Sequence, residues 1–350
     1  MKARKSNFEL LRIISILLII GYHFCSESKA NIFLSNFSIN QIWAFGIGSW
    51  GLVGVHCFFF ISAYFLIMNN NIHFEKICKI IAQTLFYSCI AVFIVTVGNI
   101  YPMRLGEILY NCVAPLMGEY WFVSVYCIIY IISPFINIFL KNITEGQLKK
   151  CIIVLSIIVP GLLTIWGNSP CGTLGMAIYD YFLVAGLEKN VIHISKRKAS
   201  IYSILTIFVI LIAEVIGTML CGRPIGIVRL TGRCSGFQVL LAFYIFIIFK
   251  NINIHRGNKI INWLSSNTLG VYLIHENPLL GAYIRDDLFK INKLYLLKMF
   301  PIYILLFIFI TFLITTVIDK VRIVTVEKLV FSVGKKKIYW NKIDNWFNEI

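Results

Sequence analysis

Phe8-Glu9-Leu10-Leu11-Arg12-Ile13-Ile14-Ser15-Ile16-Leu17-Leu18-Ile19-Ile20-Gly21-Tyr22-His23-Phe24-Cys25 is an apolar run broken by three ionisable residues: Glu9, Arg12 and His23. Its length approaches the twenty or so residues that cross a hydrocarbon core of about 30 Å. It ends in Tyr-His-Phe-Cys and not in a small-residue cleavage site, so it reads as a permanent span. Similar runs recur along the chain. Hydrophobic residues make up 59% of its 350 residues and charged ones only 14%, against about 25% charge in an ordinary soluble domain. The composition excludes a soluble globular fold and predicts an all-α, polytopic membrane helix bundle.

Working outward from that run gives about ten spans, near 8–28, 48–68, 77–99, 119–140, 150–166, 172–188, 200–220, 235–250, 260–284 and 294–318. Lys and Arg collect in cytoplasmic loops of membrane proteins. With a cytoplasmic N-terminus, 22 of the 32 Lys and Arg residues fall on that side and eight on the other, while Arg12 and Lys298 lie within spans. Both termini are then cytoplasmic, with a transmembrane domain over 1–319 and a basic cytoplasmic tail over 320–350. The net charge of +16 follows from this sidedness and needs no nucleic acid partner. In the tail, Lys335-Lys336-Lys337 followed by Tyr339, Trp340, Trp346 and Phe347 suits a segment resting on anionic lipid; a solvated tail fits equally well. The ten cysteines form no CxxC and no Cys/His cluster with metal-ligand spacing, so no metal is expected. Cys221 and Cys234 flank one external loop, as a disulfide or as two free thiols. No internal repeat is visible, which disfavours carriers built from two similar halves.

An ionisable residue inside a span is costly unless it faces a polar cavity or a partner. Arg12 and His23 are eleven residues apart, which at 100° per residue leaves both on one helix face, about 16 Å apart along the axis. Glu9 precedes Arg12 by one turn and can pair with it. A guanidinium binds phosphate through a planar fork of donors, and an imidazole takes a proton from a hydroxyl near neutral pH. The plainer alternative is an Arg12 that snorkels to the headgroups and a His23 that bonds a neighbouring helix. His275 lies about as deep in its span as His23 does in the first, and Glu276, Asn277 and Pro278 follow it; a catalytic and a structural role are both open. Arg223, Arg229 and Arg233 crowd one external loop against the positive-inside trend, either to bind an anionic acceptor or to meet lipid headgroups. Lys76 and Lys79 stand where the third span leaves the cytoplasm, to assist phosphate binding or to anchor a helix end. His56 could face the cavity from the second span, while His73, His193 and His255 fall in inside loops. No Gly-rich phosphate loop, serine elbow or zinc-protease motif is present.

Several of these residues fall in an ordered set of motifs: Arg12-x10-His23 in the first helix, Gly54 to Tyr64 in the second, Tyr120-Trp121-Phe122 opening the fourth, and Val271-Tyr272-Leu273-Ile274-His275-Glu276-Asn277-Pro278. In that order they resemble the acyltransferase 3 family of membrane acyltransferases, which includes bacterial O-acetyltransferases of surface polysaccharides and peptidoglycan. The resemblance implies an acetyl-CoA or other acyl-CoA co-substrate entering from the cytoplasm, with Arg12, Lys76 and Lys79 on its path. His23 is then essential to transfer, as general base or acyl carrier, with His275 beside it. The acceptor is a hydroxyl of an envelope glycan or lipid-linked sugar, oriented by Glu276, Arg223, Arg229 and Arg233. It also implies a multi-pass protein of a bacterial cell membrane, in contact with lipid, with self-association or glycan-assembly proteins as the open choices of partner. This chain departs from the pattern at Ala63, usually Gly; at His56, commonly acidic; and at Lys76-x-x-Lys79, which stands for Arg-x-x-Arg and lacks the bidentate fork. Two other classes use the same buried charges: a secondary transporter of a small anionic metabolite and a non-enzymatic membrane subunit of an envelope assembly.

Overall fold

The computed structural model describes residues 5–29, 32, 37–69, 71–166, 171–221, 230–232, 235–254, 257–327 and 343–345. Most of the described residues are helical, in helices α1 (Ser6–Ser26), α2 (Ile39–Gly48), α3 (Gly51–Met68), α4 (Phe74–Val97), α5 (Leu105–Val113), α6 (Trp121–Asn142), α7 (Glu145–Ser156), α8 (Leu162–Trp166), α9 (Gly172–Glu188), α10 (Lys196–Cys221), α11 (Gly236–Lys250), α12 (Lys259–Ser265), α13 (Thr268–His275) and α14 (Phe300–Arg322). Short helical turns over Leu280–Ala282 and Ile291–Leu294 lie between the last two.

Six helical stretches among the described residues are long and apolar enough to cross a membrane: Ser6–Ser26, Ile39–Met68, Phe74–Val97, Leu105–Asn142, Lys196–Leu220 and Phe300–Glu327. The other expected spans are shorter or interrupted. The segment over 150–166 passes through a π-turn at Ile157–Gly161 that contains Pro160, a residue that removes one helix hydrogen bond. Helices α9 and α11 run for only 17 and 15 residues. The segment over 260–284 breaks between α12 and α13. There the Asn267 amide donates to Trp263 O at 3.0 Å and the Thr268 hydroxyl to Ser265 O at 3.1 Å, side-chain bonds that compete with helix continuation. Lys298, expected within the last span, precedes α14 and is exposed.

Helix α1 is the centre of the bundle. It packs against α2, α3, α11, α12, α13 and α14 and buries Phe8, Leu11, Ile16, Ile19, Ile20 and Phe24. It approaches α3 closely at Gly54, where an added Cβ would stand 2.4 Å from the Ser15 carbonyl oxygen. A second close approach lets α13 pass α14 at Gly270, directly over Asp319. The Asp319 carboxylate accepts from Gln83 at 3.1 Å, Tyr87 at 2.7 Å and Arg322 at 2.7 Å, tying α4 to α14. Facing outward, α10 exposes Leu205, Phe208, Ile212 and Met219, and α14 exposes Ile302, Leu306, Phe309 and Leu313. Such continuous apolar faces match a lipid environment.

His56 does not face the central cavity. It turns to α9, where its Nδ1 lies 2.7 Å from Asp180 Oδ2 with both side chains fully buried, so a partner on the neighbouring helix meets the cost of its burial. Gly54→Ala forces α1 and α3 apart and lowers stability by about 1–3 kcal/mol. Thermal unfolding in detergent reads this as a reduced Tm, while Gly106→Ala, with open space around its Cα, leaves Tm unchanged. Equal melting of the two variants contradicts the packing.

Candidate active site

A cavity of about 790 Å³ runs along one face of α1 and is lined by both Arg12 and His23. Helix direction sorts its charges. The first turns of α1 and α4 and the last turn of α14 bring Arg12, Lys76, Lys79 and Arg322 to one part of the lining. The end of α1, the approach to α6 and the end of α13 bring His23, Glu27, Glu119 and Glu276 to another. Cations outnumber carboxylates at one end, where Glu327 also lines the cavity and pairs with Arg322 at 3.2 Å. The other end is acidic, with Phe58, Phe122, Tyr126 and Tyr272 along the walls.

At the basic end, Arg12 Nη1 lies 2.7 Å from Glu9 Oε1, and the Ser265 hydroxyl donates to Glu9 Oε2 at 2.6 Å. Glu9 therefore holds Arg12 in place while the side chain keeps 27% exposure to the cavity. Lys79 pairs with Glu75 at 2.8 Å. Lys76 stands over the rings of Tyr130 and Tyr126, at 4.6 and 5.4 Å from their centroids, a cation–π seat. Among the described residues no carboxylate lies within ion-pair distance of its ammonium, so its charge is available to an anion.

At the acidic end, His23 Nδ1 stands between Glu276 Oε2 at 3.0 Å and Glu27 Oε1 at 3.1 Å. These are ion-pair distances whose angles miss hydrogen-bond alignment, and Nδ1 is shut off from solvent. The open nitrogen of the ring is therefore Nε2, on a side chain 13% exposed to the cavity. Arg285 Nη2 lies 3.3 Å from the other oxygen of Glu27. His275 sits behind His23, buried, with ring centroids 5.5 Å apart; its Nδ1–H donates to the Val271 carbonyl at 2.7 Å. The turn that presents Glu276 is fixed from α6: Asn277 Nδ2 donates to the Tyr120 hydroxyl at 2.8 Å, and that hydroxyl donates to Leu273 O at 3.3 Å.

The fold thus gathers Arg12, Lys76, Lys79, His23 and Glu276 on one cavity and places His275 against His23 from behind. Arg223, Arg229 and Arg233 lie outside the described residues, as do Cys234 and most of the basic tail; His255 does too. His73 and His193 are exposed, and His73 Nδ1 lies 3.2 Å from Asp344 Oδ2. Sequence reasoning missed Glu27, Glu119 and Arg322. Glu27 had a readable signal, one helical turn after His23, and so did Arg322, three residues after Asp319. Glu119 had none, because only the tertiary fold brings it to the cavity.

A cavity among apolar helices, with an imidazole flanked by carboxylates and a separate cluster of cations, is the candidate site of a multi-pass membrane protein. The acyltransferase domain profile matches residues 5–320, and the chain belongs to that family, acyltransferase 3. No curated protein and no solved structure matches it. Tyr120→Phe leaves the Asn277 amide without its buried acceptor, which costs about 1–3 kcal/mol and loosens the turn that presents Glu276. The variant melts lower than wild type in detergent; an unchanged Tm contradicts this role for the hydroxyl.

Proposed function

We propose that the protein moves an acetyl or other short acyl group from acyl-CoA, entering at the basic end of the cavity from the cytoplasm, to a hydroxyl of a cell-envelope glycan or lipid-linked sugar at the acidic end. The observation that carries this reading is the single cavity that holds a phosphate-binding set of cations and a carboxylate-flanked imidazole on the same helix. Coenzyme A carries its phosphates at one end and its thioester at the other. Arg12 and Lys76 meet the first requirement: Arg12 supplies a planar fork of donors, and Lys76 a cation with no carboxylate partner among the described residues. Lys79 adds charge at the same mouth.

His23 meets the second requirement. Glu276 and Glu27 stand at ion-pair distance from Nδ1, so their charge favours the ring proton on that nitrogen and leaves the Nε2 lone pair toward the cavity. Nε2 takes the proton of the acceptor hydroxyl as its oxygen attacks the thioester carbonyl carbon. The C–S bond then breaks, and the proton passes from His23 to the departing thiolate, so the enzyme ends as it began. Burial from water protects the thioester from hydrolysis. The acidic end suits a polyhydroxylated sugar, whose O–H groups donate to Glu119 and Glu27. The protein would work as a multi-pass component of a bacterial cell membrane, with its acceptor supplied on the outer face.

Purified protein given labelled acetyl-CoA and envelope extract should transfer label to glycan. His23→Ala should keep its abundance and Tm and lose transfer by about 10²–10⁴-fold, the usual contribution of a general base. Arg12→Ala and Lys76→Ala should each raise the donor KM by about tenfold or more, as expected for loss of a charge-assisted contact of about 1.5–3 kcal/mol, with the acceptor KM little changed. Wild-type transfer by His23→Ala contradicts its assignment as the base.

A further inference from the structure

Three polar atoms at the acidic end of the cavity are buried and carry no hydrogen bond among the described residues: His23 Nδ1, His275 Nε2 and Glu276 Oε2. His23 Nδ1 and Glu276 Oε2 face each other at 3.0 Å as an ion pair. His275 Nε2 has no partner of either kind among the described residues, and a buried polar atom left so calls for a physical reason. The three atoms belong to α1 and to the end of α13, and one donor atom from each of the three residues lies within 4.8 Å of the other two. His275 also has the orientation of a metal ligand. A carbonyl only accepts, so the 2.7 Å contact with Val271 O fixes the proton on Nδ1 and leaves a lone pair on Nε2. Metal-binding histidines characteristically direct their second ring N–H at such a carbonyl or carboxylate.

The local charge also favours a dication. Glu27 and Glu276 both reach His23, and Arg285 is paired with Glu27, so two carboxylates face one guanidinium and two imidazoles. Two imidazoles and one carboxylate suit zinc or a neighbouring transition ion, whereas magnesium and calcium prefer oxygen. His23 and Glu276 line the cavity, which gives an ion a way in and water a place as fourth ligand.

We propose that His23, His275 and Glu276 form a site for a divalent transition cation, zinc fitting best, and that its binding switches off the proposed base. Tetrahedral zinc, with bonds of about 2.0–2.2 Å, spaces its ligand atoms by about 3.3 Å. His23 Nδ1 and Glu276 Oε2 already stand 3.0 Å apart, and a ring nitrogen of His275 belongs to the same cluster of ligand atoms within 4.8 Å of one another, a spacing that side-chain rotation can tighten. Ligation through Nδ1 places the ring proton of His23 on Nε2. The lone pair that the acceptor hydroxyl needs is then gone. This consequence rests on the general-base reading of His23; the binding of the ion does not.

The test uses full-length protein in detergent, stripped with a chelator and titrated with Zn²⁺ against a fluorescent zinc indicator, with Mg²⁺ as the comparison cation. One equivalent should bind per chain at micromolar concentration or below. His275→Gln and Glu276→Gln, with their melting checked, should weaken it by about tenfold or more, and His193→Gln, at an exposed position, should not. X-ray absorption of the zinc-loaded protein should show nitrogen and oxygen neighbours without sulfur. Absence of a saturable equivalent below about 100 µM, or unchanged affinity in both variants, overturns the site. In protein that transfers label from acetyl-CoA, one equivalent of Zn²⁺ should abolish transfer; full activity at saturation overturns the switch while leaving the acyltransferase reading intact. The binding measurement decides the site whether or not transfer is seen.

Discussion

The placement of a guanidinium and an imidazole on one face of α1, inside a bundle of apolar helices, is the constraint to which the rest of the structure answers. Neither group is tolerated in hydrocarbon without water or partners. Glu9, itself held by Ser265 on α12, fixes Arg12, and Glu27 with Glu276 flanks His23. The surrounding helices leave a cavity along that face, and α1 is packed from every other side. The two reactive groups belong to one helix, so its rise sets their separation. On the proposed reading, a donor that meets both has an anionic end and a reactive end at a matching distance.

Around this cavity the bundle is held by buried polar contacts as much as by apolar packing. Hydrophobic burial does little to hold helices together in lipid, where tails are as apolar as leucine. Asp319 gathers three donors from α4 and α14, His56 pairs with Asp180 across α3 and α9, and Glu188 pairs with Lys250 across α9 and α11. Ser49 donates to Glu214 at 3.0 Å and accepts through its carbonyl from Gln238 at 3.0 Å, which adds α10 and α11 to the same seam. Close approaches at Gly54 and Gly270 allow these contacts to form.

The apolar helices and five residues of the cavity lining, Arg12, Lys76, Lys79, His23 and Glu276, were legible in the sequence because each has a local signature. The eleven-residue spacing of Arg12 and His23 fixes their shared face without any tertiary knowledge. The depth of His275 in its apolar run pointed to its neighbour. What escaped was set by packing. The run over 260–284 reads as one helix until the Ser265-Ser266-Asn267-Thr268 side chains break it, and α2 and α5 are short helices hidden among expected loops. His56, on α3, turns to α9 and not to the cavity because Asp180 lies opposite it, a pairing no spacing reveals. Arg322 fell beyond the expected last span, yet α14 runs on and carries it to the cavity.

A structure determined by electron cryo-microscopy with a non-transferable acyl-CoA analogue tests most directly whether one cavity joins the cations to the imidazole. The phosphates should lie against Arg12 and Lys76, and the acyl carbonyl should lie within reach of His23 Nε2. An analogue bound elsewhere on the protein, or one whose acyl end points away from His23, would contradict the account.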